Sequence, residues 1–569
     1  MSNIVWEVAG ADPGKIRAFQ NEAGLTRPTA MVLSSRQVAI GSLEQFLRPQ
    51  LSALGDPYDL PGTLDAAKRL WQAIQRDEQI LIHGDYDTDG VTATALVEWV
   101  LKSNGARIRS FLPHRFDDGY GLTADSIHKA CSEPVDLLVT VDCGITSYEA
   151  LAAAREHGLD VIITDHHEPG DHAVNHCTVI DPKVNPGSDE SLRDLAGVGV
   201  AFKLCHAFLK FGREQNLGGY STDLREALEL IALGTVADIV PLMGENRCLV
   251  RHGLNVLARQ HRPGIRALCE LSRVRDQLNT TDITFRLAPR LNAAGRVGDP
   301  HDTLKLLQAR SIVEAFPLAE QLDQHNRERQ QIEEEALQAA EAQISQRIDL
   351  QNERTIVVWD DNWHQGVVGI VASRLVRKYN RPSIVLTRDG TGQLTGSGRS
   401  IRRLNLVAVL DACRQHLERF GGHAMAAGLA LEGDNLPRFV ETFEQVVHGV
   451  LGREAMVPVQ EICGEVMFRE LDRQFFRELE LLAPFGHQHR EPVFLTRHCQ
   501  ADRILRAGNH HSKGIVRDLS GAKHKFICFG IQPESLPPAP WNLVYTPHLN
   551  RFNGSVTPQL RLVDVRTAP

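Results

Sequence analysis

The chain has 569 residues, of which 42% are hydrophobic and 23% charged, with a formal net charge of −9. That composition is globular, too long for a single core, and excludes a disordered tail protein or a uniformly basic nucleic-acid coat. Any contact with nucleic acid has to come from a local basic groove or from metal ions offsetting carboxylates. The ten cysteines are scattered with no C-x-x-C pair, which argues against a zinc ribbon or a disulfide framework and leads us to expect reduced thiols in the cytoplasm. The opening "MSNIVWEVAG" does not read as a signal peptide. No apolar run approaches the roughly 20 residues of a membrane span.

Residues 1 to 60 are broken by Pro and Gly, and they read only as an N-terminal cap. From about 61 the pattern becomes α/β. "EQILIHGDYDTDG" is a strand running into an acidic loop, and "VTATALVEWVLKSNG" is a helix stopped by Asn104-Gly105. "PVDLLVTVDCG", the helix "SYEALAAAREHG", "LDVIITDHHEP" and "CTVIDPK" continue the alternation, which predicts βαβ units and a parallel sheet. The polar clusters fall at the C-terminal ends of the strands, where open α/β sheets place ligands.

Residues 190 to 300 look mainly helical. Pro317 breaks the next stretch, and "LAEQLDQHNRERQQIEEEALQAAEAQISQRI" predicts one helix of about 45–50 Å. It is read as a connector between two lobes rather than a plain surface helix, because α/β signals resume after it. "RTIVVWD", "PSIVLTR" and the helix "GIVASRLVRKY" form the second lobe, with "GTGQLTGSGRS" and "FGGHAMAAG" as Gly-rich loops. From about 456 short strands and an Asn553-Gly554 hairpin signal suggest a small oligonucleotide-binding barrel or a sandwich. The expected division is a cap over 1–60, a catalytic α/β domain over 61–300, a connecting helix within 301–350, a second α/β domain over 351–455 and the barrel over 456–569.

The chemistry concentrates in four places. In "HGDYDTDG", His83, Asp85, Asp87 and Asp89 alternate on one loop, and three carboxylates that close repel unless a cation sits among them. A calcium loop is the alternative, but its closing Glu is missing and the loop follows a strand. The others are Asp142 in "TVDCG", Asp165-His166-His167 in "TDHH", and Asp238 in "GTVADIVP". Taken alone, Asp142 and Asp238 read as ordinary capping or turn residues. Together the four clusters sit where they can converge. Carboxylates with imidazole and no thiolate suit Mn²⁺ or Mg²⁺. The set exceeds one octahedral ion, and two ions about 3.5–4 Å apart would share a bridging carboxylate and flank a phosphate.

"DYDTDG", "VDCG", "TDHH" and "GTVADIVP", in this order, resemble the motifs of the DHH phosphoesterase superfamily. "GSGRS" and "FGGHAMAAG" resemble its DHHA1 domain. "PHRFDDGYGL" and "RLAPRLNAAGRVGDP" narrow the likeness to bacterial single-strand-specific DNA exonucleases of that superfamily. The resemblance implies hydrolysis of single-stranded DNA from the 5′ end to 5′-mononucleotides, with Mg²⁺ or Mn²⁺, in recombination and repair. It also implies His83 and Asp87 on one ion, Asp89, His166 and Asp238 on the other, and Asp142 as the bridge. Asp85 and His167 would stand close by, with His167 nearer the phosphate than His166.

Arg115, Arg399 and His423 are candidates for phosphate contact, helped by the open backbone of Gly421 and Gly422. Arg290, Asn292 and Arg296 are candidates for tracking the strand, or else ordinary helix-end residues. Phe526, Phe529, Trp541, Tyr545 and Phe552 are candidates for base stacking, with most of them expected in the barrel core. By resemblance the enzyme works as a monomer, without a membrane, beside single-strand-binding protein and a helicase. The rival readings are a DHH-type oligoribonuclease, cyclic-dinucleotide phosphodiesterase or pyrophosphatase, and an inactive DNA-binding scaffold.

Overall fold

The structure is a computed structural model and describes every residue except 1–3, 115–120, 171, 186–189, 275–277, 453–455, 509 and 553–554. The chain separates into two compact units. One consists of Trp6–Asn292, Pro300–Ala319 and Glu461–Pro569; the other is chiefly Glu320–Gln460 with Ala293–Asp299.

The first unit is built on five parallel strands: β1 (Gln79–Gly84), β2 (Arg107–Phe111), β3 (Leu137–Val141), β4 (Asp160–Thr164) and β5 (Thr178–Ile180). Their order across the sheet is β2-β1-β3-β4-β5. The chain leaves β1 toward β2 on one side and then crosses to β3 on the other, so the sheet has a topological switch point between β1 and β3. Ligands of open parallel sheets bind at such a point, beyond the strand C-termini. Of these strands, β2 was not legible. Its "RIRSF" carries two arginines, which suits an edge strand that must not pair further. β1, β3 and β4 are continuous apolar runs buried on both faces, as parallel sheets require.

Helices α1 (Thr88–Lys102), α2 (Gly197–Glu214) and α3 (Leu228–Ala237) pack together beside this sheet. α3 is buried all round from Leu228 to Val236, so no amphipathic stripe marks it.

The same unit holds a six-stranded C-terminal sheet over residues 464–567. Five of its strands close on themselves, because Phe494–Ala507 pairs with both His511–Arg517 and Trp541–Phe552. This is the expected barrel. Phe552 stands opposite Ser555; the Asn553-Gly554 hairpin signal itself lies outside the described residues. The N-terminal residues are more than a cap. Phe19, Leu33, Phe46 and Leu47 share one hydrophobic core with Phe475, Phe494, Phe526 and Trp541 of the C-terminal part. Arg247 is buried against both, donating to the carbonyls of Phe46, Leu481, Ala483 and Pro484.

The long helix α4 runs from Ile312 to Arg347, 36 residues, or about 54 Å. The sequence placed its start after Pro317; in fact Pro317 is its sixth residue. A proline there removes one hydrogen bond near an end that already lacks partners. Ser311 caps the first turn, its hydroxyl accepting from the Glu314 N–H.

The second unit carries a mixed five-stranded sheet in the order 419–422, 426–431, 394–399, 383–388, 356–359. The Gly-rich stretches expected as loops are largely strands here, Leu394–Arg399, Arg419–Gly422 and Ala426–Leu431. Packing is the reason: a Cβ at Gly398 would sit 2.8 Å from Leu406 Cδ2, so glycine lets the helix starting at Leu406 lie on the strand.

Candidate active site

Five segments deliver polar groups to the switch point. His83 lies in β1, and Asp85, Asp87 and Asp89 follow on the turn into α1. Asp87 is the N-cap of α1; its Oδ1 accepts from the N–H groups of Asp89 (2.9 Å) and Gly90 (3.1 Å). Asp89 faces the N-terminus of α2 and accepts from the N–H groups of Gly197 (2.7 Å) and Val198 (3.0 Å), where exposed amides and the helix dipole favour a carboxylate. Asp142 follows β3 in a left-handed conformation, φ 62°. Asp165 and His166 follow β4, and Asp238 is the C-cap of α3.

The convergence is tight. His166 Nε2 lies 3.1 Å from Asp142 Oδ1, 3.6 Å from Asp238 Oδ2 and 4.0 Å from Asp89 Oδ2. Three groups each bring their ligand atoms within 4.8 Å of one another: Asp85, Asp87 and Asp142; Asp89, His166 and Asp238; and Asp142, His166 and His167. Asp142 belongs to two of them. His83 is fully buried at the same strand end, its ring tilted against Phe111, and belongs to none of the three groups.

The donor set fits a hard divalent ion. Asp142 Oδ1 and His166 Nε2 are buried and neither makes a hydrogen bond, although they are only 3.1 Å apart. Two buried acceptors this close, neither of them bonded, are a pair that one cation can satisfy. Neighbouring ligands of an octahedral ion with bonds of about 2.1 Å stand about 3.0 Å apart.

Glycine makes room for the carboxylates. A Cβ at Gly197 would sit 2.7 Å from both Cβ and Cγ of Asp142, and one at Gly234 would sit 2.7 Å from Asp89 Oδ1. Gly234 opens the "GTVADIVP" motif, whereas nothing in the spacing around Gly197 marks it. Asn292 reaches the turn into α1. Its carboxamide oxygen accepts from the N–H (2.7 Å) and hydroxyl (2.6 Å) of Thr88, fixing the turn between Asp87 and Asp89.

The electrostatics point the same way. Burial, then the neighbouring Asp87, pushes Asp89 up to about 7. Burial and the surrounding carboxylates hold Asp142 and Asp238 well above the usual range. Such a cluster keeps protons until a cation replaces them. Burial, then the charge on His167, lowers His166 to about 3, which leaves its imidazole neutral with a lone pair to offer.

His167 is the opposite case. Burial alone would lower it, but the hydrogen bond from its Nδ1 to Asp165 (2.7 Å) and that carboxylate's charge raise it to about 9. Asp165 also accepts from the N–H groups of Ile145 and His166. The paired histidines are thus unequal: His166 is 8% exposed among the carboxylates, whereas His167 is 32% exposed and hydrogen-bonded to Asp165.

The remaining candidates fall elsewhere. Arg115 lies outside the described residues. Arg290 donates to the Arg286 carbonyl at 2.6 Å, one turn back on its own helix. In the second unit, Arg399 stands opposite Ala426, and Gly422 opposite Ala427. The His423 N–H donates to the Ala426 carbonyl, so Arg399, Gly421, Gly422 and His423 gather at one end of that sheet. Arg296 donates to the Gly366 carbonyl at 2.9 Å in the same unit. Of the aromatic candidates, Phe526, Trp541 and Tyr545 are buried in the barrel core, so they are not available to bases. Phe529 is exposed, edge-on to His511, and the Phe552 side chain lies outside the described residues.

Family models match along the chain in the order DHH family, N-terminal domain (79–235), DHHA1 domain (352–449) and RecJ OB domain (462–564). The single-stranded-DNA-specific exonuclease RecJ of Bacillus subtilis is 35% identical over 99% of this chain and 71% of its own. The RecJ of Dickeya dadantii is 38% identical over 91% and 92%. A crystal structure of Thermus thermophilus RecJ in complex with Mn²⁺ superposes with a TM-score of 0.84 at 30% identity, covering all of this chain and 80% of that one. A Mg²⁺ complex from the same organism gives 0.78 at 28% identity, covering all of this chain and 79% of that one. With these matches along nearly its whole length, the chain belongs to the RecJ family of DHH phosphoesterases.

Proposed function

We propose that the chain is a single-stranded-DNA-specific 5′→3′ exonuclease that hydrolyses phosphodiester bonds to 5′-mononucleotides, dependent on Mg²⁺ or Mn²⁺, in DNA recombination and repair. The observation that carries this reading is the pair of ligand groups that share the neighbourhood of Asp142, Asp85/Asp87/Asp142 and Asp89/His166/Asp238, in a chain of the RecJ family.

Two divalent ions held there would activate water and neutralise charge developing on the phosphate. Asp142 is assigned as the shared ligand, His83 and Asp87 as ligands on one side with Asp85 close by, and Asp89, His166 and Asp238 on the other; the grouping of Asp85 with Asp87 and Asp142 supports Asp85 as an alternate ligand there. Asp165 holds His167 by its Nδ1–H, which orients the ring and leaves its Nε2 to face a phosphate oxygen. Arg115, Arg290, Arg399 and His423 are assigned to phosphates along the strand, with Gly421 leaving space for close approach; among the described residues, nothing beyond its own chain neighbours lies within 4 Å of where its Cβ would be. Asn292 and Arg296 are assigned to support.

Among the described residues no helix is long and apolar enough to cross a membrane, and all ten cysteines are unbridged. The reading includes a cytoplasmic monomer acting beside single-strand-binding protein and a helicase, as the family resemblance implies. The test is a metal-titrated assay on 5′- and 3′-labelled single strands, duplex and RNA dinucleotides. Release of mononucleotides from the 5′ end of long single strands is expected. Preference for the dinucleotides would favour the oligoribonuclease rival.

A further inference from the structure

Ile239 directly follows Asp238 and closes α3 with a φ of 64°. The position after a helix C-cap often takes this left-handed conformation, and glycine is the usual occupant because a Cβ is crowded there. A β-branched side chain is the least suited of all. Eleven non-glycine residues among those described have positive φ, and Ile239 is the only β-branched one. Strain of this kind persists where something offsets it, and burial is the ordinary offset. Ile239 is 61% exposed. Within the chain its side chain carries the conformational cost and gains little packing.

Its location supplies the missing partner. The side chains of Asp89, Asp142 and His166 are 8% exposed or less, whereas that of Asp238 is 25% exposed. The cluster therefore reaches solvent at Asp238, as it does at the 32% exposed His167, and the exposed Ile239 is the next residue of the chain after Asp238. A strand whose phosphate enters the cluster presents only two apolar surfaces beside it, the carbons of the sugar and the face of the base.

We infer that Ile239 is a substrate-contacting residue whose side chain packs against the sugar or base of the nucleotide whose phosphate lies at the Asp142–His166–Asp238 cluster. The strained backbone aims the side chain outward at that nucleotide while Asp238 turns inward. The contact holds the nucleotide in register with the carboxylates and excludes water beside them. This inference rests on the nuclease reading above.

The test compares Ile239→Gly and Ile239→Val with the parent by thermal midpoint, Mn²⁺ titration and kcat/KM on a 5′-phosphorylated single strand. In Ile239→Gly the strain is relieved, so the midpoint stays at or above the parent's and Mn²⁺ binding is unchanged. Loss of one aliphatic contact in the transition state lowers kcat/KM about tenfold, and Ile239→Val stays within about twofold of the parent. A glycine variant whose kcat/KM is within about twofold of the parent would overturn the inference. So would a lowered midpoint, since that would make the side chain structural. A parent that cleaves no single strand would overturn the nuclease reading instead.

Discussion

Gly197→Ala adds one methyl group at the N-terminus of α2, next to Asp142. The new Cβ would sit 2.7 Å from Asp142 Cβ and Cγ and nearer still to Oδ1. Carbon atoms settle at about 3.5–4.0 Å, so the carboxylate or the helix must move by about 0.8 Å or more. The helix is not free to yield, because its Gly197 and Val198 amides are bonded to Asp89. Overpacking of this kind costs about 1–3 kcal/mol of stability. The larger effect falls on chemistry: a displacement near 1 Å of a positioning group costs on the order of 10²-fold in rate. The assay is nucleotide release from single-stranded DNA at saturating Mn²⁺, alongside a Mn²⁺ binding isotherm. Gly449→Ala serves as the control, since open space surrounds that helical glycine. It should leave activity unchanged and stability equal or up to about 1 kcal/mol higher. A Gly197→Ala enzyme with full rate and undiminished Mn²⁺ affinity would refute the reasoning, because the Asp142 carboxylate would then not need its present place.

Asp142→Ala should abolish Mn²⁺-dependent hydrolysis while leaving single-strand binding, read by fluorescence anisotropy, largely intact; persistent hydrolysis would contradict the shared-ligand assignment. Asn292→Ala should leave the Thr88 N–H without its acceptor, costing about 1–3 kcal/mol by chemical denaturation and weakening Mn²⁺ binding; an unchanged isotherm would count against its supporting role. Phe529→Ala should weaken single-strand binding with little change in stability, whereas Phe526→Ala should cost about 3–5 kcal/mol. The reverse pattern would mean that the barrel buries the wrong face.

His489 gives a pH prediction. Burial, then the charges of Arg36 and Arg247, lowers it to about 2, and its Nε2–H donates to the Leu482 carbonyl at 2.7 Å. The unfolded chain takes up this proton below about 6.5, while the folded chain resists until about 2. Its contribution is therefore complete above about 6.5 and lost as pH falls toward 2. His489→Gln should flatten that acid limb in pH-dependent melts; an unaltered slope would show that other groups govern it.

Much of the catalytic α/β sheet was legible because parallel strands buried on both faces are continuous apolar runs, and those around "ILIH", "LLVTV" and "VIIT" announce themselves. The acidic residues were legible too, because carboxylates crowded onto strand ends have few reasons to be there except a cation. Sequence spacing could not say that Asp142 Oδ1 and His166 Nε2 lie 3.1 Å apart without bonding each other; that depends on the strand order at the switch point. The family resemblance already set His166 on an ion and His167 nearer the phosphate, but the Asp165 hydrogen bond that raises the pKa of one and not the other exists only after the turn folds back. The aromatic residues of the barrel looked alike in sequence, and closure of the sheet decided which were core. Likewise, Gly234 and Ile239 lie within "GTVADIVP" and Gly197 outside any motif, but their roles follow only once helix packing brings the two glycines against carboxylates and Ile239 takes a left-handed conformation. Local pattern determined which groups are present and on which elements. The tertiary structure decided their distances, their protonation and which of them face the substrate, because those depend on burial and on neighbours remote in sequence.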